Sequence, residues 1–368
     1  MRFKYLLNNA TNQMIKNETV LVLGAGASMP YGYPSGHSLR QMLIDPSLFD
    51  PALEKKWFER EDIEMFCRTF MLSGMKSIDA FLARRGKDTL GRGHKTIEEV
   101  GKYGIAIALR QNKALDTLFQ NPAWVDKSFG TDRSDNWYEY LWAQLSAGIT
   151  KSNLEDFAAT RLTVVTFNYD LSLEHYLFTA VQNSYGLSDD EAARLLKPIK
   201  FIHLYGQLSG NPLSASFNYV HKFDTDWRLI LEDVKLIQVI DEEREFASSN
   251  FPSAVDAIQK ASRICFLGFG FDETNVRRLE LARIFSSRAL TNEMENAEQI
   301  PFPKIVATSL GLENAERAAK RQLLTQEIKQ NFKFGITRDF FEEQIWNSFE
   351  NHVGFKSELT LRQSQILA

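Results

Sequence analysis

Residues Glu18 to Pro34 read ETVLVLGAGASMPYGYP. Thr19 to Leu23 is a short, β-branched, apolar run of the kind that is buried on both faces of a parallel sheet. Gly24, Gly26 and Ser28 then open a tight turn. A buried strand running into a glycine turn is how a dinucleotide-binding βα unit begins. Glycines without a Cβ let backbone N–H groups approach a pyrophosphate, and a following helix turns its positive end toward the same anion. The third glycine of GxGxxG is missing, and such turns also occur in sheets that bind nothing, so this stretch alone leaves both readings open.

Outward from it, the chain alternates as a Rossmann-like doubly wound α/β fold requires. The helix Ser35 to Ile44, with Ser35 as N-cap, follows the turn. From Arg161 the pattern predicts strand Leu162 to Thr166, helix Leu171 to Gln182, strand Lys200 to Leu204, strand Lys235 to Ile240, helix Ser253 to Lys260, strand Arg263 to Leu267, helix Glu273 to Ser287 and strand Lys304 to Ala307. Helices Glu313 to Lys329 and Phe340 to Asn351 complete the domain. Between the two halves, residues 45–159 switch to helical periodicity, with candidate helices Leu53 to Thr69, Ser77 to Arg85, Thr96 to Leu118 and Trp137 to Ser146. The expected organisation is an N-terminal arm (1–17), a Rossmann-like domain (18–44 and 160–352) carrying a helical insertion (45–159), and a C-terminal tail (353–368). Lys87 to Lys95, KDTLGRGHK, reads as a flexible, solvated basic loop. Trp137, Tyr138, Tyr140 and Trp142 read as core and interface aromatics, because basic residues are not interleaved with them as base stacking demands.

The 368 residues are 44% hydrophobic and 24% charged, a globular composition without a membrane span. The start, MRFKYLLNNATNQMIKN, lacks the apolar run of a signal peptide, so a cytoplasmic protein is expected. A formal net charge of −4 argues against broad adhesion to nucleic acid. Cys67 and Cys265 are the only cysteines and stand far apart, which excludes a four-thiolate zinc module. Cys265, inside an apolar strand, reads as a small buried hydrophobe. His94, His175, His221 and His352 stand at no ligand spacing, and no metal site is expected.

Three further segments lie where ligands gather in such folds. They are Thr166-Phe167-Asn168-Tyr169-Asp170 after one strand, His203-Leu204-Tyr205-Gly206 after another, and Phe266-Leu267-Gly268-Phe269-Gly270-Phe271-Asp272 after a third. Gly24-Ala25-Gly26-Ala27-Ser28 followed by Gly32-Tyr33-Pro34 resembles the sirtuin pattern GAGxS…GIP at the same spacing. The segment at Asn168 is similar to the sirtuin TQNxD box, the one at His203 to the catalytic histidine–glycine segment, and the one at Gly268 to the border of the adenosine half of the site. Ser77-Ile78-Asp79-Ala80-Phe81-Leu82 is similar to a SIDxFL segment of bacterial sirtuin-like proteins, although capping by Ser77 and packing of Ile78, Phe81 and Leu82 also account for it.

The resemblance implies a bacterial sirtuin-like NAD hydrolase of the antiphage-defence type, releasing nicotinamide and ADP-ribose, with NAD as substrate and no zinc or other cofactor. It implies binding of NAD by Gly24, Ala25, Gly26, Ala27, Ser28, Pro34, Asp170, Gly268 and Phe269. Asn168 orients the ribose and a water, and His203 is the candidate base; capping of the next helix is the bland reading of Asn168 and Asp170. Asp79, His37 and Tyr205 are secondary candidates. Here Tyr205 stands directly before the glycine and His203 two residues earlier, so either His203 reaches the pocket from the same side as Tyr205, or Tyr205 takes the catalytic position. Ser35-Gly36-His37 replaces the Asp-Phe-Arg that follows sirtuin GIP, which favours water over acyl-lysine as acceptor. A homo-oligomer and a partner such as a HerA-type ATPase are implied as restraints on a toxic activity. A non-catalytic NAD or ADP-ribose sensor, and a deacylase or ADP-ribosyltransferase, are the alternatives.

Overall fold

The computed structural model describes residues 15–49, 57–91, 95–110, 118–119, 136–214, 227–239, 249–285, 303–309, 313–325 and 341–342. Strand β1 (Thr19–Leu23) leads into helices α1 (Gly36–Leu43), α2 (Arg60–Leu72) and α3 (Ile78–Arg85). A small hairpin of β2 (Thr89–Leu90) and β3 (Lys95–Thr96) precedes α4 (Ile97–Arg110) and α5 (Trp137–Leu145). Then come β4 (Leu162–Thr166), α6 (Ser172–Tyr185), α7 (Asp189–Leu196), β5 (Lys200–His203), α8 (Trp227–Leu236), α9 (Phe251–Lys260), β6 (Arg263–Leu267), α10 (Glu273–Arg278), β7 (Lys304–Thr308), α11 (Asn314–Thr325) and β8 (Phe341–Glu342). The large sheet has the order β5-β4-β1-β6-β7-β8 and every pair is parallel. Numbered along the chain, that is the 3-2-1-4-5-6 order of a doubly wound Rossmann-like sheet, whose direction of travel reverses between β1 and β6.

Alternation along the strands divides the core in two. Val20, Val22, Val165, Ile264 and Phe266 face one side, where they meet Leu43 of α1, Phe66 and Phe70 of α2, Phe81 of α3, Tyr103 of α4 and Ile258 of α9. Leu21, Leu23, Val164, Cys265 and Leu267 face the other, against Trp137 and Leu141 of α5, Leu177 and Val181 of α6, and Leu196 of α7. Each such fully buried aliphatic or aromatic side chain contributes about 1.5–3 kcal/mol through burial. The strands are buried on both faces, which is why their sequences are continuous apolar runs.

The helical insertion is tied to the body by a buried ion pair. Arg110, at the end of α4, places Nε 2.5 Å from Asp233 Oδ2 and Nη2 2.8 Å from Oδ1 on α8, while Ser209 donates its backbone N–H and hydroxyl to the same carboxylate. That pair also corrects one expected element. Lys235 to Ile240 does not form a strand; α8 runs through Leu236, and only Ile237 bridges, antiparallel, to Gly206. Ile230, Asp233 and Ile237 are the buried positions, at helical spacing, and Leu236 stays 41% exposed. Ile240 lies outside the described residues.

Four further departures have local causes. Phe341–Glu342 pairs with the open edge of β7 as a strand instead of starting a helix, and the rest of that expected helix is outside the described residues. The helix expected over Glu273 to Ser287 is interrupted at Glu280, whose φ of 51° is left-handed. The basic loop is partly a hairpin, turned at Gly91 with φ 48°; residues 92–94 are outside the described set. Helix α7 was not expected, although Ser188 and Glu191 form a capping box at its start. Among the described residues, no helix is long and apolar enough to cross a membrane.

The switch point of the sheet is closed by glycines. Gly24 N donates to Leu267 O at 3.0 Å and Gly26 N to Gly268 O at 3.1 Å. Gly268 has φ 58°, and a Cβ there would stand 2.1 Å from Ala27 N. Gly268→Ala should therefore destabilise the fold by about 2–5 kcal/mol, combining the left-handed penalty with overpacking against backbone. Gly270→Ala, whose Cβ enters open space, should stay within about 1 kcal/mol. Urea unfolding of the two variants checks this; equal stability would mean that the turns separate freely.

Candidate functional site

The strand register sets the site. Leu23, Thr166 and Leu267 are aligned across β4, β1 and β6, and Thr166 is aligned with His203 of β5. The loops that follow emerge together at the carboxyl edge, beside the switch point, where open α/β sheets bind ligands. They form one wall of a cleft of about 700 Å³, within the range of small-molecule and cofactor sites. Helix α1 of the body and helix α3 of the insertion form the other wall.

Of the residues singled out in the sequence, Gly24, Ala25, Ser28, Pro34, His37, Asp79, Asn168, Asp170 and Phe269 line this cleft. Gly26, Ala27 and Gly268 do not line it. Gly26 and Gly268 meet beneath it, backbone to backbone.

The glycine turn does less for an anion than its sequence suggests. Gly24 and Gly26 spend their amides on Leu267 and Gly268, Ala27 N donates to Gly24 O, and Ser28 N donates to Ala25 O. Within Gly24 to Ser28, only the Ala25 amide lacks an acceptor among the described residues. The glycines are needed because two backbones touch. The freer amides belong to the first turn of α1. Ser35 accepts from Ser38 N at 3.0 Å as N-cap, whereas the amides of Gly36 and His37, which line the cleft, have no acceptor among the described residues and stand at the positive end of the helix. Arg40 and Lys76 stand on the same wall.

Asn168 is buried and clamped. Its Nδ2 donates to Gly24 O and to Ser28 Oγ, both at 3.0 Å, and its backbone N–H donates to Thr166 Oγ1. Its Oδ1 is left without a partner among the described residues. Asp170 makes an Asx turn, accepting from Ser172 N at 3.1 Å and from the Ser172 hydroxyl. Ser172 Oγ in turn lies 2.6 Å from the Tyr138 hydroxyl. Burial raises the Asp170 carboxyl above its ordinary range, against the hydrogen bonds from Ser172. Across the cleft Asp79, in the first turn of α3, accepts a hydrogen bond from Tyr169 Oη. Desolvation raises its carboxyl as well.

His203 and Tyr205 depart from expectation. His203 does not reach the cleft: it is buried behind Asn168, with Nδ1 3.0 Å from the Asn168 carbonyl and Nε2 2.6 Å from Glu174 Oε1. Tyr205 is also one layer back, donating to Asn275 Oδ1 at 2.6 Å and accepting from Arg278 Nη1 at 2.5 Å; Asn275 lines the cleft instead. Residues two apart share a side only while a strand continues, and β5 ends at His203. Gly206, with φ 78°, then turns the chain toward Ile237.

Several residues that no motif marked support the site. Trp137 Nε1 donates to Ala27 O at 2.8 Å, and Tyr31, stacked on Tyr138 at 3.7 Å, accepts from Tyr138 N and donates to Asn136 Oδ1. Trp137 and Tyr138 are core, as expected, and with Tyr31, which was not expected, they also brace the turn. Glu174, Ser172 and Asn275 carried no motif signal; Glu174 is legible only as an acid one helical turn after Asp170. Among the described residues no group of three or more His, Cys, Asp or Glu is placed to hold a metal.

The raised Asp79 carboxyl gives a pH test. A carboxyl whose folded pKa exceeds its ordinary 3.8 stabilises the fold below that value, and the contribution is lost as pH rises through the folded pKa. Asp79→Asn keeps an acceptor for Tyr169 and has no charge to bury. Its melting temperature should match wild type near pH 4 and exceed it increasingly toward pH 8. A difference independent of pH would contradict the assignment.

No protein-family model matches this chain and no curated protein matches it, so the case for its function rests on the cleft itself.

Proposed function

We propose that this chain is an NAD hydrolase that cleaves the nicotinamide–ribose bond to give nicotinamide and ADP-ribose. The observation that carries the reading is the meeting of Asn168 and Asp170, beside the glycine turn, in one cleft at the switch point of a Rossmann-like sheet.

The chemistry asks for positioning more than for covalent help. Nicotinamide leaves as a neutral group while positive charge develops on the ribosyl carbon, so water can add once the bond has lengthened, releasing one proton. Asn168 Oδ1 is the open acceptor for a ribose hydroxyl or the attacking water, since its amide nitrogen is already held by Gly24 and Ser28. Asp170, with a carboxyl raised toward the protonated form, suits recognition of the nicotinamide carboxamide. The first turn of α1, with Arg40 and Lys76 nearby, supplies positive potential for the diphosphate. Depletion of NAD during phage infection, restraint by self-association and a HerA-type ATPase partner belong to the same reading, through the resemblance to bacterial sirtuin-like effectors.

One observation favours a second reading, a non-catalytic NAD or ADP-ribose sensor. Both ring nitrogens of His203 are engaged away from the cleft, which leaves His37 as its one imidazole among the described residues.

Nicotinamide release from NAD by the purified chain, beside Asn168→Ala, separates the two. Wild type should release nicotinamide, alone or with an added partner. Asn168→Ala should lower the rate about 10²–10³-fold, as loss of an oriented polar group does, with NAD affinity within about tenfold. Binding without release under either condition supports the sensor, and absence of binding overturns both.

A further inference from the structure

We propose that Glu174 and His203 form a proton-sharing couple that fixes Asn168 from behind, making both of them positioning residues for the cleft. For catalysis the proposal rests on the hydrolase reading; for the state of the couple it does not.

The argument is hydrogen-bond accounting. The Asn168 carbonyl can only accept, so His203 Nδ1, 3.0 Å away, must carry a proton. On the other side Nε2 and Glu174 Oε1, 2.6 Å apart, need a single proton between them. Either imidazolium meets carboxylate, or neutral imidazole meets carboxylic acid. In both forms Nδ1 is protonated and Nε2 is occupied, so the ring presents no lone pair to the cleft. His203 is 5% and Glu174 2% exposed, and an unpaired member of such a couple would be costly.

The placement of the four groups gives the couple its purpose. Glu174 is held by the first turn of α6, and His203 ends β5, where its carbonyl accepts from Asn250 Nδ2 at 2.8 Å, at the start of α9. From these rigid elements the chain of contacts runs through the Asn168 backbone to its side chain, and from Nδ2 to Gly24 and Ser28 in the glycine turn. Asp170 is the other titratable carboxyl facing the couple. It shares with Glu174, Tyr138 and the apolar Leu173 a small void of about 10 Å³, room for about one water. Burial alone would lower the His203 pKa; the Glu174 charge and hydrogen bond, with the Asn168 contact and Asp170, outweigh it and raise the pKa overall.

Two experiments test this. In the first, ¹⁵N-histidine NMR of the wild-type chain follows the ring at position 203, identified by the signal that disappears in His203→Asn. Nδ1 should keep its proton from about pH 6 to about 8, where a free imidazole titrates. An unprotonated Nδ1 overturns the proposal whether or not the chain hydrolyses NAD. In the second, nicotinamide release is compared between His203→Ala and the double variant His203→Asn with Glu174→Gln. The asparagine amide can take the place of Nδ1 as donor to Asn168, and glutamine leaves no buried charge. If the couple positions, the double variant should stay within about tenfold of wild type while His203→Ala falls about 10²-fold or more. Equal losses, with melting temperatures showing that both variants are folded, would instead make His203 a base acting on substrate and overturn the proposal. If wild type releases no nicotinamide, the hydrolase reading fails and the NMR result alone decides the couple.

Discussion

The contact of one backbone with another at the switch point is the constraint on which this structure depends. Gly24 and Gly26 at the end of β1 press against Gly268 at the end of β6, closely enough that a methyl group on any of the three would stand under 3 Å from backbone atoms. No side chain can intervene. The consequence is that the loops after β1, β4 and β6 leave the sheet within hydrogen-bonding distance of one another, and the polar floor of the cleft is built from them. Trp137, reaching Ala27 O from α5 on the far face, holds the same turn from outside. Backbone closeness, and not an open cradle of amides, is what the glycines supply here.

Behind that floor the chain concentrates polar groups in a place where water is scarce. Asp170, Glu174, His203, Ser172 and Tyr138 are all buried; hydrogen bonds join Tyr138, Ser172 and Asp170 in one set and His203 and Glu174 in another. Such networks add little net stability, because desolvation offsets most of the attraction between the partners. Their effect is geometrical: a satisfied network allows one arrangement and penalises the rest. Arg110 and Asp233 do the same at the junction of insertion and body, where a planar guanidinium fork meets both carboxylate oxygens.

The sequence was most legible where a single physical demand set the residue choice. Buried parallel strands demand continuous apolar runs, and β1, β4 and β6 were found with their bounds unchanged. Asn168 and Asp170 could be placed because they immediately follow a strand whose end was clear. Legibility failed where a local rule was carried past its domain. Period-two alternation put His203 and Tyr205 on one side of a strand that stops at His203. A β-like run, Lys235 to Ile240, was read as a strand because nothing in the sequence announces that Asp233 will be held by an arginine 123 positions away. Phe341–Glu342 became a strand because β7 had an edge to pair, a fact about topology and not about those two residues. Glu174 was missed for a related reason: it touches His203 and not the cleft, and motif patterns mark residues that meet ligands better than those that hold them.

Two of the ties between the insertion and the body differ in kind. Tyr169 to Asp79 lies on the cleft wall, partly open to water, and a single hydrogen bond of this sort contributes about 0.5–1.5 kcal/mol net. Arg110 to Asp233 is fully enclosed, and separating a buried pair of this kind costs about 3–5 kcal/mol. Lys76 to Asp79 stand on the wall opposite Asn168 and Asp170, beside Met75, whose carbonyl accepts from Arg40 Nε of α1 at 2.8 Å. The enclosed tie thus stands away from the cleft, at the end of α4, and the single hydrogen bond stands on its wall, at the start of α3.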